Sequence, residues 1–227
     1  MTKAVIIVPT RGRPQNARRL LKAWKETKAV ADLYFVCDID DWSMRDYQAL
    51  DDINIITNHI TAAGMAQPLN MAAMMLLDDT KYDRYSYFGF MGDDHLPRTE
   101  YWDYKLAIRL PSNKNGIAYG NDLLQGGNLP TACLMTRGIV ENLKGMVQPG
   151  AKHLYLDNFW KQLGQDINSL HYVENVVIEH MHPLVAKGQM DDHYARVNSE
   201  QYYTHDRAVY EAFINSQVYR DLVVAVS

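Results

Sequence analysis

The sequence predicts an α/β fold with a mostly parallel central sheet flanked by helices and a C-terminal helical extension. Two observations carry that expectation. In the first hundred residues, short apolar strand-like runs and helix-period segments follow in the order strand, helix, strand, strand, helix, strand. Three of those runs also end in charged or glycine-containing turns, as strands do where they leave a buried sheet.

Residues 4–8 form a β-branched run that stops at Pro9 and leads into TRGRP. Residues 15–28 follow with Ala17, Leu20, Leu21 and Trp24 at helical spacing. Strands are expected at 33–37, ended by DIDD, at 54–57, and at 85–91, ended by GDD; residues 66–77 form a Met-, Ala- and Leu-rich helix. The second half is less regular. Helices are expected at 100–110, 156–163 and 205–216, and strands at 116–119, 131–136 and 173–181. Residues 189–192 read as an exposed loop, and the terminal LVVAV fits either a strand or a helix end. No repeat or Gly/Ser/Pro-rich linker divides the chain, so residues 1–183 and an extension at 184–227 are expected to form one compact unit.

Composition narrows the function classes. With 47% hydrophobic and 22% charged residues among 227, the chain is not a disordered one. The net charge of −4 excludes a generally basic nucleic-acid binder and leaves only a local basic patch open. Cys37 and Cys133 sit in apolar stretches and read as buried thiols. No run approaches the roughly 18 apolar residues of a membrane span, and the N-terminus has no signal-peptide pattern. A cytoplasmic protein is the expectation.

Ligands of parallel α/β sheets bind beyond the carboxyl ends of the strands. There the sequence places Thr10, Arg11 and Arg13 after the first strand, Asp38 and Asp40 after the second, and Asp93, Asp94 and His95 after the fourth. Arginines clamp phosphate, and carboxylates with histidine hold a divalent cation. Asp93-Asp94 stands out among several aspartate doublets because it directly follows an apolar strand, with Gly92 permitting a tight bend. His180 and His182 lie two apart in a strand pattern and share a face. A metal or phosphate pair and a hydrogen-bonded core pair both fit them. Asp157 fits either a first-turn aspartate complementing a helix dipole or a functional carboxylate. His59, His95, His153 and His171 have nothing in the sequence that separates them from surface residues.

VIIVPTRGRP, LYFVCDIDD, the Met-rich helix with Asn70, and YFGFMGDDHLP, in that order, resemble the nucleotide-sugar-binding half of GT-A fold (Rossmann-like) glycosyltransferases, particularly the family-2-like group. The likeness covers residues 3–110 well and continues more loosely to 183. The compact length suggests the small members found in phage and bacterial genomes.

The resemblance implies a metal-dependent transfer from a nucleotide-diphosphate sugar, of UDP or GDP type, to an unknown acceptor, with Mn2+ or Mg2+ as cofactor. It implies that Thr10, Arg11 and Arg13 line the nucleotide pocket, that Asp38 binds the nucleobase with Asp40 close by, and that Asn70 lies near the nucleotide. Asp93 and Asp94 occupy the DxD position, the first near ribose or sugar and the second on the metal. His180, with His182 as competitor, completes the metal site, and Asp157 is the base of inverting members. The GGNLPTA segment faces donor sugar and acceptor. Here the triplet reads GDD, because Gly92 stands where the family has its first aspartate, and the late acidic pair is reduced to Asp157-Asn158.

Two other classes are kept. A sugar-phosphate nucleotidyltransferase would need a longer, glycine-richer first loop than TRGRP. A non-catalytic binding module would have no need to retain Asp94, Asp157 and both late histidines. The segment 184–227 is expected to act as a lid, with Lys187 and Arg196 reaching the diphosphate, or as an oligomer contact.

Overall fold

The computed structural model describes residues 3–61, 64–78, 85–181 and 196–227. Among them, eight strands form one sheet in the order β3-β2-β1-β4-β7-β6-β8-β5. The first half is parallel: β1 (Lys3–Thr10) lies between β2 (Asp32–Asp38) and β4 (Tyr85–Phe90), and β3 (Ile55–Asn58) forms the edge beyond β2. These strands read as buried runs because helices cover both faces. Val5 and Ile7 point into one core layer, and Ala4, Ile6 and Val8 into the other, the period-2 alternation of a strand.

One layer is closed by α1 (Pro14–Glu26) and α4 (Trp102–Ala107). Helix α1 starts on Pro14, whose fixed φ suits a first helical position, and buries Ala17, Leu20, Ala23 and Trp24. The short α2 (Met44–Gln48) buries Tyr47 against the same layer. The opposite layer holds α3 (Ala66–Asp78), α5 (Arg137–Leu143) and α6 (Leu156–Asp166).

The second half departs from the parallel pattern. Strand β7 (Cys133–Thr136) runs antiparallel to both β4 and β6 (Ile117–Asn121). Strand β8 (Leu170–His180) is parallel to β6, and the three-residue β5 (His95–Pro97) is antiparallel to β8. Register breaks between Gly120 and Asn121, where pairing jumps from Val173 to Val177. A side chain at Gly120 would meet the Val176 backbone, so glycine lets this bulge close against β6.

Several expected boundaries shift. The helix expected at 100–110 is confined to Trp102–Ala107, with Tyr101 at φ 55°. Helix α7 (Glu200–Ile214) starts earlier than expected, and LVVAV belongs to α8 (Gln217–Val226). Tyr219, Leu222 and Val226 of α8 are buried in the same core layer as α3 and α6. No helix among the described residues is long and apolar enough to cross a membrane. The loop expected at 189–192, as well as His182 and Lys187, lies outside the described residues.

Candidate active site at the carboxyl edge of the sheet

Strand order reverses between β1 and β4, so the loops after them splay apart and leave a crevice. A cavity of about 610 Å³ opens there, within the roughly 300–1,000 Å³ usual for small-molecule sites. Thr10, Arg11, Arg13, Asp38, Asp93, Asp94, Asp157 and His180 all line it.

The first loop is braced from β2 and α2. Arg11 Nη1 donates to Asp38 Oδ2 at 2.9 Å and to Asp40 Oδ1 at 2.6 Å, and these bonds raise the guanidinium pKa further. Gly12, at φ +69°, gives its N–H to Asp41 Oδ2 at 2.9 Å, and the Arg13 N–H reaches the Tyr47 hydroxyl at 2.8 Å. Asp38 is buried, and Asn58 Nδ2 donates to its Oδ1 at 2.7 Å. Asp40 is exposed, absent from the cavity wall, and occupied by Arg11 and Thr61.

Asp93 turns back under the first loop. The Thr10 hydroxyl donates to Oδ2 at 2.6 Å, Asn16 Nδ2 to Oδ1 at 3.2 Å, and Arg13 Nη1 lies 3.6 Å from Oδ1. Burial and then the neighbouring Asp94 charge push its carboxyl up to about 6. Asp94 turns the other way. Its Oδ1 is 3.2 Å from His95 Nδ1 and its Oδ2 is 3.4 Å from His180 Nε2. Burial opposes its ionisation, but contacts with His180 and His95 outweigh burial and hold its pKa well below the carboxylate range.

Asp94, His95 and His180 offer ligand atoms that all lie within 4.8 Å of one another. The two imidazoles stack at 4.0 Å between centroids, because β5 and β8 pair His95 directly with His180. The Met181 N–H donates to Asp94 O at 2.8 Å and ties Asp94 to the same register. His95 is 3% exposed, and burial followed by the His180 charge lowers its pKa, which favours the neutral form that metal binding requires. Its Nε2 has no hydrogen-bond partner among the described residues. A buried, orphaned imidazole nitrogen beside a carboxylate and a second imidazole fits a divalent cation. This N,N,O set suits Mn2+ better than Mg2+. Gly92 is required for this arrangement, since a Cβ there would lie 2.7 Å from Asp94 Oδ1 and 2.8 Å from His95 Nδ1.

His95 thus corrects the sequence reading that gave it no distinguishing context. Asn70 has a structural part. Its Oδ1 accepts the N–H groups of Met146 and Val147, and its Nδ2 donates to Val147 O, so it joins α3 to the 146–147 backbone and is absent from the cavity wall. Asp157 lies in the first turn of α6, where its Oδ1 accepts the Asn158 N–H at 2.9 Å. It meets the helix-terminus expectation and lines the cavity as well. Burial raises its pKa.

Three further segments line the cavity, and Asp157 is their one carboxylate. Leu124, Gln125, Leu129 and Thr131 follow β6, His153–Asn158 lead into α6, and Val197, Asn198 and Tyr203 belong to the C-terminal segment. Arg196 is exposed and does not line it.

The sequence matches no protein-family model and no curated protein. Solved structures do match. Glucosyl-3-phosphoglycerate synthase from Mycobacterium tuberculosis, in complex with Mn2+, UDP-glucose and phosphoglyceric acid, superposes with TM-score 0.61 at 9% identity over 92% of this chain and 80% of that one. The same enzyme with Mn2+, UDP and phosphoglyceric acid gives 0.59 at 10% identity, over 92% and 78%. A candidate nucleotide-diphospho-sugar transferase from Desulfovibrio desulfuricans G20 gives 0.52 at 11%, over 93% and 98%. The chain has a GT-A-like fold. At these identities the likeness establishes the architecture, and the activity has to be argued from the site.

Proposed function

We propose that this protein is a metal-dependent glycosyltransferase that moves a sugar from a nucleotide-diphosphate donor, of UDP or GDP type, to an acceptor hydroxyl. The observation that carries this reading is the Asp94–His95–His180 cluster, set beside the arginine-bearing first loop in one cavity at the strand-order reversal.

Glycosyl transfer must stabilise a departing diphosphate. Bound at Asp94, His95 and His180, Mn2+ would supply the positive charge that does so. Arg13 stands at the same wall, and Asp93 fixes both Arg13 and Thr10. Arg11 is already paired with two carboxylates, so its part is to fix Asp38 against the nucleobase side of the pocket. Asp157 takes the proton of the acceptor hydroxyl, and its burial raises its basicity for that step. The fold neighbours with Mn2+ and uridine diphosphate in their structures support this reading and make UDP the first nucleotide to test.

Calorimetric titration of UDP, GDP, dTDP and CDP, with Mn2+ and again with EDTA, is expected to show one diphosphate that binds only with metal. Failure of every nucleotide to bind under both conditions would overturn the donor-site assignment. Asp157→Asn is expected to lower kcat by about 10²- to 10⁴-fold, the usual contribution of a general base. Affinity for the nucleotide diphosphate should stay unchanged. An unchanged kcat would remove Asp157 from the chemistry.

A further inference from the structure

Asp122 belongs to neither the ligand cluster nor the cavity wall, yet it is a 3%-exposed carboxylate that touches both. It follows β6 at the point where the β8 bulge ends. The His180 N–H donates to its backbone O at 3.0 Å, so the two residues are fixed to each other through the main chain. Its Oδ1 accepts three N–H groups, from Leu124, Gln125 and Gly126, at 2.9, 2.7 and 2.9 Å. Its Oδ2 accepts the Thr131 hydroxyl at 2.8 Å and lies 4.0 Å from His180 Nδ1. The imidazole presents its other nitrogen, Nε2, to Asp94.

We propose that Asp122 is a positioning residue for the metal centre, keeping the proton on His180 Nδ1 so that Nε2 presents its lone pair to the ion. The inference rests on the metal reading of the cluster given above. A histidine ligand is oriented, and its tautomer fixed, by what its second nitrogen meets. The three backbone N–H groups on Oδ1 hold the carboxylate in place, and the Thr131 hydroxyl ties the loop to its other oxygen. At 4.0 Å the two groups face each other beyond hydrogen-bond length, and a turn of the ring about χ2, a broad torsion, would bring them together. The same carboxylate anchors the 124–131 loop over the cavity, so one residue sets both a ligand's orientation and a wall of the pocket.

Asp122→Asn separates these roles. Oδ1 remains the acceptor of three backbone N–H groups, and so the new amide nitrogen replaces Oδ2. That nitrogen can still bond the Thr131 oxygen, which preserves the loop. Toward His180 it presents a donor, which demands a lone pair on Nδ1 and moves the proton to Nε2.

Calorimetric titration of Mn2+ into the full-length protein is expected to show affinity about 10- to 100-fold weaker for Asp122→Asn than for wild type. Thermal midpoints should be similar. Thr131→Val, which cuts the loop tether and leaves the carboxylate facing His180, should keep wild-type Mn2+ affinity. Equal Mn2+ affinity of Asp122→Asn and wild type, or equal weakening in Thr131→Val, would overturn the positioning role alone. Failure of the wild type to bind Mn2+ would overturn it together with the metal reading.

Discussion

Asp94→Ala is expected to abolish metal-dependent nucleotide binding and to lower turnover by about 10³-fold or more, the loss of several kcal/mol of charge stabilisation at the leaving diphosphate. Asp94 is the one oxygen ligand in the cluster, and its two oxygens face the two imidazoles separately. Without it, two stacked imidazoles remain. Two nitrogen ligands with no carboxylate hold a hard or borderline divalent ion poorly. The fold should survive, because the backbone bond from Met181 N–H to Asp94 O does not involve the side chain. Turnover of Asp94→Ala with saturating Mn2+, measured beside its thermal midpoint, checks this. Wild-type turnover in a folded Asp94→Ala protein would mean that the cluster is structural.

The parallel half of the sheet was legible in the sequence for a physical reason. Strands such as Lys3–Thr10 and Asp32–Asp38 are buried on both faces, so the local residue run carries their signal. Thr10, Arg11, Arg13, Asp38 and Asp93–Asp94 could be set at one edge because each ends such a strand or comes within four residues of its end.

His95 could not. Its value comes from a three-residue strand pairing antiparallel with β8, which sets it against a residue 85 positions later in the chain. A three-residue strand has no periodicity to detect. The only sequence signal was adjacency: a histidine immediately after the aspartate doublet, with another histidine ending a later strand. Asp122 was hidden for a related reason. In sequence it is one more turn aspartate, and only the bulge in β8 brings it to His180. Asn70, which the resemblance alone set near the nucleotide, has a part the sequence did not show: buried backbone N–H groups at 146–147 need an acceptor and take its side chain.

The C-terminal segment was the least legible part, and it carries the second large effect. In α7, the buried residue is a charged one, Asp206, at 0% exposure. Its carboxylate accepts the N–H groups of Lys152, His153 and Leu154 at 3.0, 2.8 and 2.7 Å and pairs with His205 Nδ1 at 2.8 Å. It therefore clamps α7 onto the segment that leads into Asp157 and lines the cavity, where Tyr155 also stacks on Tyr210. Asp206→Ala leaves three backbone donors without their acceptor. At about 1–3 kcal/mol for each buried group, partly relieved by relaxation, a loss of roughly 3–5 kcal/mol is expected, enough to lower the thermal midpoint by many degrees.

The effect has a defined pH sign. Burial raises the Asp206 pKa, but the Leu154 N–H, His205 and the other two N–H groups lower it more, and the net folded-state value is depressed. A depressed carboxylate stabilises the fold above its unfolded pKa, near 3.9, and loses that contribution as pH falls through the folded value. The gap in thermal midpoint between wild type and Asp206→Ala should be constant near neutrality and narrow in acid below about pH 4. A gap unchanged into that range would show that the carboxylate's charge is not what holds α7 to the cavity wall.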